Sequence, residues 1–191
     1  MIIKNIVSSD NIKLLTHHIL RLHEEQDIIN LKLEDSLVSI GSSFSSHSNP
    51  LLDTLCEIVW PIVELKVGVE LTPTYAYSRL YVNGSELPVH LDRPSCEVSV
   101  TIQLGRSHHY AWPIFIGSER FDLAEGDGVI YKGTEEYHWR NVCDGPKDYY
   151  SAQIFLHYVK RKGSLSEWVG DKRWSDTIPF KKNRTWLLEN K

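Results

Sequence analysis

From residue 76 to residue 159 the chain contains AYSRLYV (76–82), PVHLD (88–92), EVSVTIQLG (97–105), YAWPIFIG (110–117), RFDLAEGD (120–127), GVIYKG (128–133), HWRNV (138–142) and YYSAQIFLHYV (149–159). These are eight short runs rich in β-branched and aromatic residues, broken by Gly, Pro, Asn and Asp about every 8–12 residues. That rhythm predicts an all-β sandwich or barrel. Working outward, the segment before it is helical. Ile12, Leu15, Ile19 and Leu22 recur at helical spacing in NIKLLTHHILRLHEEQ, with Ser9 or Asp10 as the expected N-cap. A Ser-rich stretch, GSSFSSHSN (41–49), is expected to be a loop. Asn49 and Pro50 then open a second helix that ends near Gly68 and that Pro61 is expected to kink or split. A helical layer of this kind covers one face of a sheet that water would otherwise reach.

The 191 residues carry a formal net charge of −4, with 41% hydrophobic and 24% charged residues, which fits one globular domain large enough to need no disulfide or structural metal. Its expected divisions are a helical layer over 1–72, a β core over 73–159 and a tail over 160–191. No run of about 18 apolar residues occurs and the N-terminal MIIKNIVSSDNIK lacks signal-peptide character, so a cytoplasmic protein with no membrane span is expected. Cys56, Cys96 and Cys143 are odd in number and form no C-x-x-C pair, which predicts reduced thiols. The charge is uneven. Residues 159–191 hold nine Lys/Arg against four Asp/Glu (+5), leaving twelve against twenty-one (−9) for the rest.

His90-Leu91-Asp92 is the pair with the clearest chemistry. Alternate side chains of a strand share a face, so the imidazole and the carboxylate project together, and Pro88 and Pro94 favour extended backbone running into a turn. His138 lies 46 positions beyond Asp92, after a Gly-Asp turn, a strand and an acidic loop. Two histidines and one carboxylate make the facial triad of non-haem Fe(II) oxygenases, which leaves coordination positions open.

Over residues 75–159 the sequence resembles the Fe(II)- and 2-oxoglutarate-dependent dioxygenases, on the prolyl-hydroxylase-like side of that superfamily. The matching stretches are YVNGSELPVHLD (81–92), SVTIQLG (99–105), WPIFI (112–116), LAEGDGVIYKG (123–133), HWRN (138–141) and QIFLHYV (153–159). The resemblance implies a double-stranded β-helix, or jelly roll, with the N-terminal helices packed on one sheet. It further implies Fe(II) held by His90, Asp92 and His138, with 2-oxoglutarate and O2 as cosubstrates, succinate and CO2 as products, and hydroxylation of a C–H bond. Many relatives carry Arg or Lys about ten residues after the distal histidine, to pair with the far carboxylate of 2-oxoglutarate; here that position is Tyr149. Arg79 and Tyr81, two apart on one strand face, are the first candidates for the role. Arg93, Arg140 and Lys147 are the runners-up.

Other features have structural readings. His17, His18 and His23 belong to a helix, His108 and His109 to a surface loop, and His157 to the core as a hydrogen-bonded histidine. Cys96 is expected to be buried. Trp112, Phe115 and Tyr131 either wall a pocket or pack the core, and Trp139 should face away from His138. The tail mixes Trp168, Trp174 and Trp186 with basic residues. These tryptophans either pin the tail to the barrel, stack on single-stranded nucleic acid, close over the iron or meet a second copy. The acidic body favours a small-molecule or peptide substrate over nucleic acid. A cupin-like metal-binding protein without oxygenase activity is the rival reading, kept open by the missing Arg/Lys of the last strand.

Overall fold

The computed structural model describes residues 1–29, 43–47 and 49–172. Two antiparallel sheets face each other. The larger holds β1 (Ile2–Ile3), β8 (Gly128–Tyr131), β5 (Val98–Arg106), β10 (Tyr150–Lys160), β3 (Leu71–Val82) and β2 (Ser43–His47), in that order across the sheet. The smaller runs β4 (Leu87–His90), β9 (His138–Arg140), β6 (Ile114–Ile116) and β7 (Glu119–Phe121). From β3 onward the chain crosses between the sheets, with β6 and β7 the one consecutive pair that stays in the same sheet. This winding is the expected double-stranded β-helix, and all eight strands read from the sequence are present.

The long pair β3–β10 organises the molecule. Leu80 lies opposite Ala152, Ser78 opposite Ile154 and Ala76 opposite Leu156. Ala76, Leu80 and the β10 residues Ala152, Ile154, Leu156 and Tyr158 join the core beneath the helices α1 (Ser9–Ile29) and α2 (Pro50–Val67). Leu15 and Ile19 of α1, and Leu52, Cys56, Val59, Trp60 and Val63 of α2, fill that layer. Each large aliphatic side chain fully buried there contributes about 1.5–3 kcal/mol. The alternate residues of the same strands point between the sheets, where Tyr77 stacks on Phe155 and Tyr75 packs on His157.

Local signals explain the helix ends. The Asn49 side chain accepts from the Leu51 amide at 3.0 Å, Pro50 occupies the first turn, and Gly68 closes α2 with φ of 72°, a conformation glycine adopts without strain. The helix continues through Pro61 without the expected split. Helix α1 begins at Ser9, so Ser9 and Asp10 lie in its first turn and do not cap it. The Ser-rich stretch departs from expectation: residues 43–47 form an edge strand on β3, with Ser45 opposite Arg79. Its ladder comes from the neighbouring backbone, which side-chain alternation does not report. Beyond β10, a turn over Ser166–Lys172 packs back against the barrel, and Asp171 accepts from Arg93 at 2.7 Å. The readings for Trp174, Trp186 and the basic residues from Arg173 on fall outside the described residues. Among the described residues, no helix is long and apolar enough to cross a membrane.

Candidate active site

His90 ends β4 directly opposite His138 of β9, so strand pairing alone sets the two imidazoles side by side, with ring centroids 4.1 Å apart. Each ring is fixed in the same way. His90 Nδ1 lies 2.8 Å from the Pro88 carbonyl and His138 Nδ1 lies 2.9 Å from the Glu136 carbonyl, in both cases two residues back. A carbonyl only accepts, so each Nδ1 carries the proton and each Nε2 presents a lone pair. Asp92 follows His90 as the chain leaves β4; its amide donates to the Gly133 carbonyl at 2.8 Å. Its Oδ1 sits 3.7 Å from His90 Nε2 and 3.5 Å from His138 Nε2.

These donors suit a divalent metal. Two unprotonated imidazole nitrogens and a carboxylate oxygen converge within 4.8 Å of one another, and ligands about 2.1 Å from a shared octahedral ion lie roughly 3 Å apart. Electrostatics agree. Burial raises the Asp92 pKa, but the neighbouring His138 and His157 side chains and the Ser99 hydroxyl outweigh it and hold the carboxyl at about 2. Burial, with His138 beside it, pushes His90 below the ordinary imidazole range. The His138 side chain is closed off, whereas those of His90 and Asp92 keep 18% and 15% of their exposure. The centre therefore opens to solvent on the His90 and Asp92 side.

Between the sheets lies a buried cation. Arg140 follows His138 by two residues, on the same face of β9, and is 2% exposed. Its Nη1 donates to the Trp112 carbonyl at 2.5 Å and its Nη2 to Gln153 Oε1 at 3.0 Å, and the guanidinium lies over the Trp112 ring at 4.9 Å. Among the described residues Nε has no partner and no carboxylate pairs with the group. Burial lowers its pKa to about 10. Arg79 enters from β3 with its guanidinium 5.7 Å from the centre of the Tyr81 ring. Tyr81 meets Trp112 edge-on at 4.9 Å, and Tyr149 is buried in the same aromatic cluster. Arg79, Tyr81 and Arg140, candidates from the sequence, thus gather at one aromatic cluster together with Tyr149, the position where relatives carry the cation. Arg93 and Lys147 do not. Arg93 turns to Asp171 and lies over Tyr75, while Lys147 is exposed on the loop before β10.

Several residues were missed from the sequence. Ser99 donates to Asp92 Oδ2 at 2.9 Å; Gly133 closes against the same carboxylate; Gln103, Ser151 and Gln153 form a buried hydrogen-bonded set that ends on Arg140. A signal did exist. In SVTIQL (99–104) the polar residues alternate with aliphatic ones, which on a half-buried strand places them in water, yet the helical layer already claims the aliphatic face. The remaining histidines and Cys96 lie outside the His90, Asp92 and His138 cluster. His157 is buried and hydrogen-bonded to Ser99, and Cys96 is buried beneath the Tyr75 hydroxyl. His18 accepts from Asn49, and His108 contacts Ser107 and Asp148 at the surface. Trp112 and Tyr131 line the interior. Phe115 instead stacks on Trp139 with ring planes 9° apart, each one strand position away from the inward-facing Ile116 and His138.

No protein-family model matches the sequence, and no curated protein matches it. Solved structures do match the fold. A prolyl-4-hydroxylase from Pseudomonas putida superposes with a TM-score of 0.62 at 13% identity, over 85% of this chain and 92% of that one. EctD from S. alaskensis, solved with bound Fe, gives 0.62 at 12% identity over 84% and 72%. A viral collagen prolyl hydroxylase from Paramecium Bursaria Chlorella virus-1, solved as a 2OG complex, gives 0.56 at 11% identity over 83% and 94%. The chain shares the fold of these structures.

Proposed function

We propose that this protein is a non-haem Fe(II)- and 2-oxoglutarate-dependent dioxygenase that hydroxylates a C–H bond of an aminoacyl residue or small molecule, forming succinate and CO2. One observation carries the reading. His90, Asp92 and His138 converge at the open end of a barrel that holds, two residues past the distal histidine and on the same face, a buried guanidinium with no carboxylate partner among the described residues. Residues two apart on a strand are separated by roughly 6.7 Å, a span suited to a five-carbon diacid reaching from the metal ligands to Arg140.

His90 Nε2, His138 Nε2 and Asp92 Oδ1 hold the metal, and bound Fe(II) supplies the redox chemistry that couples O2 reduction to 2-oxo acid decarboxylation and C–H oxidation. Arg140 pairs with the far carboxylate of the cosubstrate in charge-assisted hydrogen bonds, and its uncompensated burial is what such an anion relieves. Arg79 adds positive charge to the same pocket. Trp112, Tyr81, Tyr149 and Phe155 exclude water around the diacid, which strengthens each of those interactions. The open side at His90 and Asp92 admits the substrate. The −9 of residues 1–158 favours a neutral or cationic molecule or a peptide over a nucleic acid. The Fe held by EctD and the 2OG held by the viral hydroxylase support the assignment.

Succinate release from 2-oxoglutarate, measured with Fe(II) in air, tests the proposal. The native protein should form succinate even without its substrate, by slow uncoupled turnover. Arg140→Met should raise the 2-oxoglutarate concentration needed by about 100-fold or more while Fe(II) binding persists. Fe(II) binding with no interaction with 2-oxoglutarate would instead establish the cupin-like, non-oxygenase alternative.

A further inference from the structure

We infer that Ser99 and His157 are positioning residues that reserve one oxygen of Asp92, Oδ1, for the metal and hold the other, Oδ2, away from it. The inference rests on the metal-centre reading above. Ser99 Oγ lies 2.9 Å from Asp92 Oδ2, 3.3 Å from the Cys96 carbonyl and 3.0 Å from His157 Nδ1. The hydroxyl has one hydrogen, and the ionised carboxylate is both the nearer and the charged acceptor, so that hydrogen goes to Oδ2. Ser99 must then accept from His157, which fixes His157 as the neutral tautomer protonated at Nδ1. Its Nε2 is left as a bare acceptor, in agreement with a buried Nε2 that has no hydrogen-bond partner among the described residues. The ring cannot easily turn, because Tyr75 packs on it at 4.6 Å and Tyr77 at 5.7 Å between centroids.

Gly133 supplies an independent constraint on the same oxygen. A Cβ at this position would overlap Asp92 Oδ2 and the Cys96 carbonyl and stand 2.7 Å from Ser99 Oγ. The Gly133 backbone therefore closes against Oδ2, while its carbonyl accepts from the Asp92 amide at 2.8 Å. Ser99 and Gly133 together enclose Oδ2, and Oδ1 alone faces the two imidazole nitrogens. The consequence is a matter of counting sites. A carboxylate bound through one oxygen leaves three of six octahedral positions for the two donors of a 2-oxo acid and for O2, whereas one bound through both leaves two.

Anaerobic titration of the metal-free protein with Co(II), reading affinity together with the visible ligand-field spectrum, tests the inference without any turnover. Ser99→Ala and Gly133→Ala should weaken Co(II) binding by about 10–100-fold and alter the spectrum, and Ser99→Thr should restore both. His157→Gln keeps an amide donor for Ser99 and should bind like the native protein. His157→Leu has none and should lose affinity, and adding it to Ser99→Ala should bring no further loss, since both act through one chain of hydrogen bonds. Native affinity and spectrum in Ser99→Ala, or equal binding by His157→Gln and His157→Leu, would overturn the positioning role alone. Absence of Co(II) binding by the native protein would overturn the metal centre and this inference together.

Discussion

His157 shows how one buried side chain writes itself into the stability of the whole protein. Burial dominates its titration, only partly offset by the Asp92 charge, and holds the imidazole down at about 4 against an ordinary 6.5. The native state thus refuses a proton that the unfolded chain takes up. Between pH 6.5 and about 4 the unfolded state binds more protons, so stability is fully present above that window, falls as pH drops through it and levels off below. The size is roughly 3 kcal/mol. Because His90 is also pushed down, the metal-free protein should show a steeper loss in urea unfolding than His157 alone would give, and His157→Gln should remove the His157 share. An unchanged pH slope in His157→Gln would show that His157 is not a neutral buried imidazole. Arg140 presents the complementary case. A cation is buried there without a carboxylate partner among the described residues, an arrangement that makes physical sense when an anion joins it.

Among the elements, what could be read from the sequence depended on whether the pattern and the environment agreed. Eight strands and both helices were legible because β-branched and aromatic runs alternate with turn residues, and because Asn49-Pro50 and Gly68 mark helix ends. His90, Asp92 and His138 were legible because strand alternation and a simple cross-strand pairing suffice to bring them together. Residues 43–47 were not, since a serine-rich edge strand has no apolar face to announce it. Ser99 and Gln153 were hidden for a different reason. On β5 and β10 both faces are buried, so polar residues that normally mark the solvent side line the interior instead. The buried Arg140 sits on β9, and no local pattern around Tyr149, the position to which the resemblance points, reveals that. One contact between elements invites a direct test. Gly126, with φ of 86°, donates to the Gln103 carbonyl and accepts from the Val7 amide, and a Cβ there would stand 2.7 Å from the Val7 carbonyl and 2.8 Å from Ile12. Gly126→Ala should therefore loosen the start of α1 from the sheet and cost about 1–3 kcal/mol in urea unfolding, with Co(II) affinity unchanged. A stability equal to the native protein's would contradict that docking.

Across the whole molecule, two sheets divide the labour. The outer face of the larger one is sealed by α1 and α2 with aliphatic packing, which frees the space between the sheets to be polar. His90, Asp92 and His138 sit at an end that opens to solvent, and the tyrosines, Trp112, Gln153 and Arg140 lie behind them. On the proposed function, a small diacid entering there would meet a metal at one end and a guanidinium at the other. Charge follows the same plan, with an acidic body and a basic segment from residue 159 onward. The central claim is that one pocket joins Fe(II) to 2-oxoglutarate. Its most direct test is the visible absorption of the protein titrated anaerobically with Fe(II) and then with 2-oxoglutarate. A metal-to-ligand charge-transfer band should rise with 2-oxoglutarate in the native protein, be absent in Asp92→Ala, and need far more 2-oxoglutarate in Arg140→Met. No band in the native protein, or a band that survives Asp92→Ala, would contradict the account.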